Sequence, residues 1–417
     1  MDNQSLRTIV VDLTPILPGG DNGGAKLFVL ELLTQLARIA PQTHFMLLTQ
    51  AASHEELACL DQHNISRRMV LGPLGTHQIT TSLHAGAGRL LAHLPARWRG
   101  HLLTLGIRAY RYVQRTSSSN LPSSLGADLL FCPFTAPTYA SPHIPTVCTI
   151  HDLQYQVYPE FFAPQDVAQR AHAFTQACRH ATALAAISDY SRQVAIQQGN
   201  INPARIHTIY PRMAQRIKTG TNDPSPIMGH LGLVAGRYLL YPANFWRHKN
   251  HEMLLTAFGI ACRDGLAEDI KLVCTGALSE RQSYLAAAAA IMNLGNRVIF
   301  PGFLPAAELA DLIGKARGLI FPSLYEGFGL PVLEAMAAGI PVACGNLTSL
   351  PEVAADAALL FDPRRPVHIA NAMTTLVEND ALRGRLIGAG LQRAAEYADS
   401  ERMAREYWDL FLWALTK

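Results

Sequence analysis

Short apolar runs rich in β-branched residues alternate with longer helical patterns along most of this chain. Such alternation is typical of βαβ units, which build parallel sheets covered by helices. The rhythm runs through the first half and restarts after a stretch of turn-forming residues. The sequence therefore predicts an α/β protein in which two Rossmann-like domains face a central cleft.

The expected strands follow from these runs. In the first half they cover residues 8–13, 44–49, 128–132, 145–150, 183–187 and 205–210. In the second half they cover residues 238–242, 271–275, 297–300, 318–321, 341–343 and 358–361. Notable helical patterns in the first half span residues 25–40 and 166–179.

Residues 218–227 are a cluster of turn formers and helix breakers, which favours a linker. The predicted domains are therefore residues 1–217 and 228–399. The last stretch, residues 400–417, has a helical pattern that carries Tyr407, Trp408, Phe411 and Trp413. A terminal helix cannot leave so much aromatic surface exposed, so we expect it to cross back onto the first domain.

Composition narrows the protein class. The 417 residues suit two to three domains, and 49% hydrophobic with 16% charged residues excludes disorder for most of the chain. The seven cysteines are scattered without zinc-ligand spacing, as expected of reduced thiols. Residues 1–13 lack a secretory pattern, and no apolar run reaches the ~18–20 residues of a membrane span. We expect a cytoplasmic protein, or one held peripherally at the inner face of the cytoplasmic membrane.

The charge of the chain is unevenly distributed. A formal net charge of +3 does not indicate a general polyanion binder, but residues 62–127 hold eight arginines and no acidic residue or lysine. Arg108, Arg111 and Arg115 recur at helical spacing, which predicts a basic helical insertion at about residues 67–120. This insertion is either a solvated surface or a platform for anionic lipid or a lipid-diphosphate acceptor. No nucleic-acid module is recognisable, so we expect no nucleic-acid partner.

The most informative motif lies in residues 321–342. A predicted strand ends at Phe321, a glycine-containing loop follows, and Pro331 stands where a helix would begin. This arrangement predicts an anion site made by the helix N-terminus and the amides of Phe328, Gly329 and Leu330.

Two carboxylates accompany this anion site. Glu326 lies in the loop, and Glu334 lies in the helix, where a carboxylate suits a ribose diol because it can accept both hydroxyl hydrogens. Glu334 could instead merely complement the helix dipole. That alternative leaves Glu326 and the loop glycines without a role, so a bound ligand is the better interpretation.

The spacing of Glu326 and Glu334, E-x7-E within EGFGLPVLE, resembles the retaining glycosyltransferases of family four (glycosyl transferases group 1). The resemblance extends over nearly the whole chain and implies the GT-B fold. Further similar segments are YPANFWRHKNH at 241–251, SLPE at 349–352, FDP at 361–363, PGGDNGG at 18–24 and TIHDL at 149–153.

The resemblance also implies roles for individual residues. Glu334 would bind the ribose of a nucleotide-diphosphate sugar, while Glu326 and the amides of Phe328, Gly329 and Leu330 would hold the transferred sugar and the distal phosphate. Lys249 would pair with the diphosphate. The resemblance also implies that residues of the first domain contact the reacting sugar. His151 would lie near the reacting carbon, and Gly23 and Gly24 would close the site.

One departure concerns the second phosphate-binding cation. Many members of the family have a glycine-arginine pair where this chain has Ala243 and Asn244, so Arg247 becomes the candidate. His248 and His251 have the spacing of zinc ligands, but no third ligand is evident, and we expect no metal at the site.

Simpler interpretations remain for the other candidates. Lys249 could be an exposed lysine at a helix start, and His151 a satisfied strand-end histidine. The glycines at 19–24 could form only a flexible loop, since they lack the G-x-G-x-x-G spacing of nicotinamide enzymes.

Together these features predict an enzyme, a hexosyltransferase-type glycosyltransferase that needs no cofactor. It would move a sugar from a nucleotide-diphosphate sugar, with GDP-mannose favoured by the resemblance, to a glycan or lipid-linked acceptor in surface-polysaccharide biosynthesis. The donor base would be read near residues 275–277 and 300–303. The alternatives are a sugar-nucleotide epimerase and a non-catalytic sugar-nucleotide-binding subunit.

Overall fold

Two parallel β-sheets, one from each half of the chain, organise the molecule. The computed structural model describes residues 6–20, 22–72, 120–217, 226–277 and 280–417. The first sheet has seven strands in the order β3-β2-β1-β4-β5-β6-β7. Its strands are Thr8–Asp12 (β1), His44–Gln50 (β2), Ile65–Leu71 (β3), Leu129–Cys132 (β4), Thr146–Ile150 (β5), Ala183–Ala186 (β6) and Ile206–Thr208 (β7).

The second sheet has six strands in the order β10-β9-β8-β11-β12-β13. They are Tyr238–Pro242 (β8), Lys271–Thr275 (β9), Val298–Gly302 (β10), Gly318–Phe321 (β11), Val342–Gly345 (β12) and Ala358–Phe361 (β13). In both sheets the strand order reverses beside the first strand, between β1 and β4 and between β8 and β11. Ligands of doubly wound sheets bind at the carboxyl ends of the strands at such switch points.

Helices cover both faces of each sheet, as parallel strands require. Those in the first half are Gly23–Ile39 (α1), Ala51–His54 (α2), Leu121–Ser124 (α3), Gln154–Val157 (α4), Pro164–His180 (α5) and Asp189–Gly199 (α6). Those in the second half are Ile227–His230 (α7), His251–Arg263 (α8), Glu280–Ile291 (α9), Ala306–Lys315 (α10), Leu330–Ala337 (α11), Leu350–Ala354 (α12), Pro366–Glu378 (α13), Asp380–Glu396 (α14) and Ser400–Leu415 (α15).

The side-chain alternation of β1 shows how the first domain builds two cores. Ile9 and Val11 belong to one apolar cluster, while Val10 points to the opposite face and joins the other. A third, larger cluster fills the second domain. Both sheets are therefore buried on two faces, which explains why their strands read as continuous apolar runs.

The last helix, α15, leaves the second domain and packs on the first, as the sequence predicts. Asp399 caps its N-terminus by accepting a hydrogen bond from the Arg402 amide at 2.9 Å. One helix face then enters the first-domain core, through Met403, Ala404, Tyr407, Leu410, Phe411 and Ala414. The α/β architecture of two Rossmann-like domains with a crossover helix is confirmed.

Every strand expected from the sequence is present, but β3 was not predicted. Its sequence, ISRRMVL, carries Ser66, Arg67 and Arg68, and it lies at the sheet edge, where one face stays partly exposed. An edge strand needs no continuous apolar run, so the arginines masked it. Arg67 and Arg68 thus belong to a strand rather than to a basic helix. The other six arginines of the predicted insertion lie outside the described residues, as do positions 218–225 of the predicted linker.

All seven cysteines are free thiols, and four of them are buried, Cys132, Cys148, Cys274 and Cys344. Among the described helices, none is both long enough and apolar enough to cross a membrane.

Candidate active site

A loop of the second domain meets the first domain across the cleft. Gly327, in the loop after β11, lies against the chain at His151, which directly follows β5 of the first domain. A Cβ at position 327 would overlap the carbonyl oxygen of His151. Only glycine permits this approach, so the contact itself explains why the E-x7-E motif has glycine at position 327.

Lys249 and Glu326 form an ion pair at this meeting point. The Lys249 Nζ lies 2.5 Å from the Glu326 Oε1, and each side chain is only 11% exposed. Asn250, at φ 64°, fixes the backbone after the lysine because its amide donates to the carbonyls of Pro322 and Pro363. The Tyr241 hydroxyl donates to the Lys249 carbonyl at 2.6 Å. The lysine is therefore a positioned, largely buried cation rather than an exposed helix-start residue.

The loop that carries Glu326 is equally constrained. The backbone amide of Glu326 donates to the Thr348 hydroxyl at 3.0 Å. The Ser349 hydroxyl donates to the carbonyls of Glu326 and Phe328. Gly329 then takes φ 115° as the N-cap of α11, with proline in the first turn.

The amides of Phe328, Gly329 and Leu330 flank this turn. Within the described part of the chain, none of the three donates a hydrogen bond to protein. Such amides at a helix start can receive an anion, and the structure brings them beside the loop that holds Glu326.

Glu334 lies on α11 and is 4% exposed. Its Oε1 accepts hydrogen bonds from the Arg216 Nε at 3.0 Å and Nη2 at 2.6 Å. Burial raises the pKa of Glu334, and the charge and hydrogen bonds of Arg216 oppose that rise. Sequence reasoning missed Arg216; its place just before the interdomain linker was the available signal.

Gly23 and Gly24 stand at the start of α1 and face the second domain. A Cβ at Gly23 would lie 3.0 Å from the Trp246 ring, and one at Gly24 would lie 3.5 Å from Leu330. The preceding loop is built around Lys26, which the sequence did not single out. The Lys26 Nζ donates to the carbonyls of Leu17 and Gly19 and to Glu56. These bonds mean that the glycine loop is not simply flexible.

His151 presents a neutral imidazole to the cleft region. Its Nε2 lies 2.8 Å from the Pro133 carbonyl oxygen, which can only accept, so the Nε2 carries the proton. Burial lowers the pKa of His151 below its usual range. The Phe28 ring packs edge-on to the imidazole with centroids 5.6 Å apart. The Nδ1 is therefore the ring atom that can accept a hydrogen bond from a ligand hydroxyl.

Arg247 is the candidate for the second phosphate-binding cation. It lines a cavity of about 710 Å³ together with Phe161 of the first domain and Tyr284 and Leu324 of the second. Lys249, Glu326 and Glu334 do not line that cavity. In the described part of the chain Arg247 makes no hydrogen bond or ion pair with Glu326 or Glu334, whereas Arg216, which was not predicted, is paired with Glu334.

His251 is buried and His248 is half-buried, both close to Lys249 in the chain. Burial lowers the pKa of His248 to about 2 and that of His251 to about 3, so both rings are neutral. His251 packs against the Tyr241 and Phe245 rings, at 4.7 and 4.9 Å between centroids. No metal-binding cluster of three ligands occurs among the residues for which coordinates are described.

The second domain carries the clearest similarity to known proteins. Residues 234–393 match the family model for glycosyl transferases group 1. The O-antigen chain mannosyltransferase B of Escherichia coli is 28% identical over 271 residues, which are 64% of this chain and 70% of that protein. The chain is a hexosyltransferase-type glycosyltransferase. A second relative, the serotype-specific mannosyltransferase WbdA of E. coli, is 36% identical over 103 residues, or 25% of this glycosyltransferase and 13% of WbdA.

Solved structures show the fold of this glycosyltransferase. Anabaena Alr3699/HepE in complex with UDP-glucose superposes with a TM-score of 0.71 at 18% identity, covering 96% of this chain and 98% of that one. WaaG, a glycosyltransferase involved in lipopolysaccharide biosynthesis, gives a TM-score of 0.66 at 16% identity, with coverage of 95% and 98%. The fold is GT-B.

Proposed function

We propose that this enzyme is a retaining glycosyltransferase of family four that transfers mannose from GDP-mannose to a glycan or lipid-linked acceptor in surface-polysaccharide assembly. The observation that carries the proposal is the Lys249–Glu326 pair beside the unpaired amides of α11, held against His151 across the cleft. The similarity to mannosyltransferases of O-antigen synthesis supports the choice of sugar and pathway class.

The nucleotide half of the donor would bind the second domain. The Glu334 carboxylate would accept hydrogen bonds from the ribose diol through lone pairs that Arg216, bound at Oε1, leaves available. The base would extend toward the ends of β9 and β10, at residues 275–277 and 300–303. The diphosphate would then reach Lys249 and the amides of Phe328, Gly329 and Leu330.

The sugar would lie between the domains. Glu326 would exchange its bond to Lys249 for bonds from sugar hydroxyls, which frees the ammonium for the diphosphate. His151, with Nδ1 as acceptor, would orient a hydroxyl near the anomeric carbon. Gly23 and Gly24 would close the site from the first domain, where they lie against Trp246 and Leu330 of the second.

Transfer would proceed on one face of the sugar. The bond from the acceptor oxygen to the anomeric carbon forms as the bond from that carbon to the diphosphate oxygen breaks, and the acceptor proton passes to the departing diphosphate. The products are a glycoside with retained configuration and a nucleoside diphosphate. Lys249 and the helix amides stabilise the departing charge as fixed donors, so the proposed reaction uses no metal.

The acceptor side belongs to the first domain in this proposal. The remaining arginines of the sequence-predicted insertion, at positions 89, 97, 99, 108, 111 and 115, would approach anionic lipid at the inner face of the cytoplasmic membrane, where each basic residue contributes ~1 kcal/mol of attraction.

A nucleotide screen tests the proposal. Thermal unfolding is measured with UDP, GDP, ADP, dTDP and their sugars in EDTA, for the wild type, Glu334→Ala and Lys249→Ala. A ligand at 100 times its Kd adds about 2.7 kcal/mol of apparent stability. We expect a selective shift with GDP and GDP-mannose that both variants lose.

Sugar transfer is then measured by analysing the products formed with candidate acceptors. Conversion of the donor sugar without any acceptor would identify an epimerase instead. Binding without any conversion would indicate a non-catalytic subunit, and the absence of a shift with every nucleotide would refute the donor site.

A further inference from the structure

The N-terminus of α6 in the first domain touches both halves of the site. The Ser188 hydroxyl caps the helix by accepting from the Ser191 amide at 3.0 Å. The Ser191 hydroxyl in turn lies 3.3 Å from the carbonyl oxygen of His151 and 3.3 Å from that of Gly327. The first turn of α6 therefore spans the point where the two domains meet.

A carboxylate from the second domain completes the cap of this helix. Glu352, on α12, accepts the Asp189 amide at Oε1 over 2.7 Å and the Tyr190 amide at Oε2 over 3.0 Å. Helix starts leave their first amides without intrahelical partners, and a negative charge there also meets the positive end of the helix dipole. Both oxygens of one side chain are thus engaged across the cleft.

Glu352 is itself held in place from its own domain. Arg393, on α14, donates to the Glu352 carbonyl at 2.7 Å and to the Val353 carbonyl at 2.9 Å. A short helix that is anchored in this way presents the carboxylate from a fixed base.

Aromatic rings surround the contact on both sides. Tyr210 of the first-domain side packs against Phe328 and Tyr397, at 6.2 and 5.6 Å between ring centroids. Tyr190 packs against Tyr325 at 5.9 Å. The cap therefore lies next to the Glu326-to-Gly329 loop rather than at a remote edge of the interface.

We propose that Glu352 is a positioning residue, which holds the two domains in the transfer-competent arrangement by capping α6 from across the cleft. The inference rests on the proposed transferase function. Because α6 contacts His151 and Gly327 through Ser191, loss of the cap would misalign the first-domain side of the sugar site. The proposed nucleotide contacts of Lys249 and Glu334 lie in the second domain and would remain.

This division gives Glu352 a distinctive kinetic signature. In Glu352→Ala we expect the kcat for transfer to fall by about 10- to 100-fold, as for a misplacement of about 1 Å. The Kd for the nucleoside diphosphate should change by less than about twofold, and hydrolysis of the donor should gain relative to transfer because water enters the incompletely closed site. Glu352→Gln keeps one acceptor oxygen and should give an intermediate kcat.

The matched control is Glu378→Ala, which removes an exposed glutamate at the end of α13 in the same domain. It should leave kcat, Kd and the hydrolysis share unchanged. The radius of gyration from small-angle scattering supplies a readout besides activity, and Glu352→Ala with nucleotide bound should be more expanded than the wild type.

The outcomes separate the two proposals. An unchanged kcat in Glu352→Ala, or a nucleotide Kd that worsens in parallel with kcat, would refute the positioning role. If the wild type transfers no sugar from any donor but Glu352→Ala still expands, the transferase proposal fails while the cross-domain contact stands. If the wild type transfers and neither scattering nor kcat changes in the variant, only the inference on Glu352 fails.

Discussion

Two parts of the contact between the domains, as far as the described residues show it, differ in chemistry. At the crossover helix α15 the contact is apolar, with the Phe411 ring 5.0 Å and the Tyr407 ring 5.6 Å from Phe131 of the first-domain core. Across the cleft the contact includes polar bonds, the Arg216–Glu334 pair and the Glu352 cap of α6, beside aromatic rings.

The two kinds of contact differ in how easily they can be broken. Burial of apolar surface is lost only when the whole face returns to water, so α15 ties the second domain permanently to the first. A hydrogen bond or ion pair can be exchanged for water or for a ligand group at a small net cost. The polar bonds across the cleft are therefore the ones that water or a ligand group can replace, whereas the packing of α15 is not.

The largest effect should come from breaking the apolar contact. Phe411→Ala removes a fully buried ring, so we expect the free energy of unfolding to fall by about 3–5 kcal/mol in denaturant titrations. Leu412→Ala, at a 38% exposed neighbour on the same helix, should change it by less than about 0.5 kcal/mol. Equal losses in the two variants would contradict the assignment of α15 as the permanent attachment.

The next effect should come from holding the cleft open without touching α15. In Gly327→Ala the new methyl group would overlap the His151 carbonyl, so the domains or the loop must move apart. We expect the transfer rate to fall by about 100-fold, with little change in the unfolding of the second domain.

Gly388→Ala is the control for this change, since a Cβ there meets nothing within 4 Å on α14. It should leave transfer intact and raise the free energy of unfolding by up to about 1 kcal/mol. Wild-type activity in Gly327→Ala would show that the close approach to His151 is not needed.

A smaller effect should follow from removing one partner of the cleft ion pair. Arg216→Ala leaves Glu334 buried without its cation, so the pKa of Glu334 rises further than burial already raises it. Only the ionised carboxylate accepts both ribose hydroxyls, so the donor affinity should weaken by about tenfold. As the pH is lowered, the affinity of the variant should begin to fall at a higher pH than that of the wild type. Isothermal titration across a pH series measures both changes.

Arg216→Lys keeps a positive charge and should restore the wild-type pH dependence in large part. A profile in Arg216→Ala that runs parallel to the wild type would mean that Arg216 does not maintain the charge of Glu334.

The smallest effect concerns a polar detail inside the apolar contact. The Tyr407 hydroxyl lies 3.0 Å from the Thr149 hydroxyl, and both are buried. Tyr407→Phe should cost about 1 kcal/mol of unfolding free energy because it leaves the threonine hydroxyl unpaired. The double variant with Thr149→Val should cost less than the sum of the single changes. Strict additivity would show that the bond contributes nothing.

Local patterns sufficed for most of the fold. The strands were visible because parallel strands buried on both faces are continuous apolar runs, and the restart of the pattern revealed two domains. Strand β3 was missed because an edge strand can carry Arg67 and Arg68 on a partly exposed face. The aromatic residues of α15 predicted the crossover because the helix buries them by packing on the first domain.

The site residues divide in the same way. Glu326, Glu334, the loop glycines and Lys249 lie in short segments whose spacing is itself informative, and the structure brings Lys249 and Glu326 together. It also brings in Arg216, which no local pattern had singled out, and gives Glu352 of the SLPE segment a partner in the first domain that the segment did not reveal.

The sequence by itself determined two βαβ domains, a crossover helix and the strand–loop–helix turn at residues 318–337, because each depends on residues close together in the chain. The tertiary structure decided which side chains pair across the cleft. Arg216 lies 118 residues from Glu334, and Asp189 lies 163 residues from Glu352. Which side chains become partners depends on how the two sheets face each other. A hydrogen bond of about 3 Å requires atomic positions that spacing along the chain does not specify.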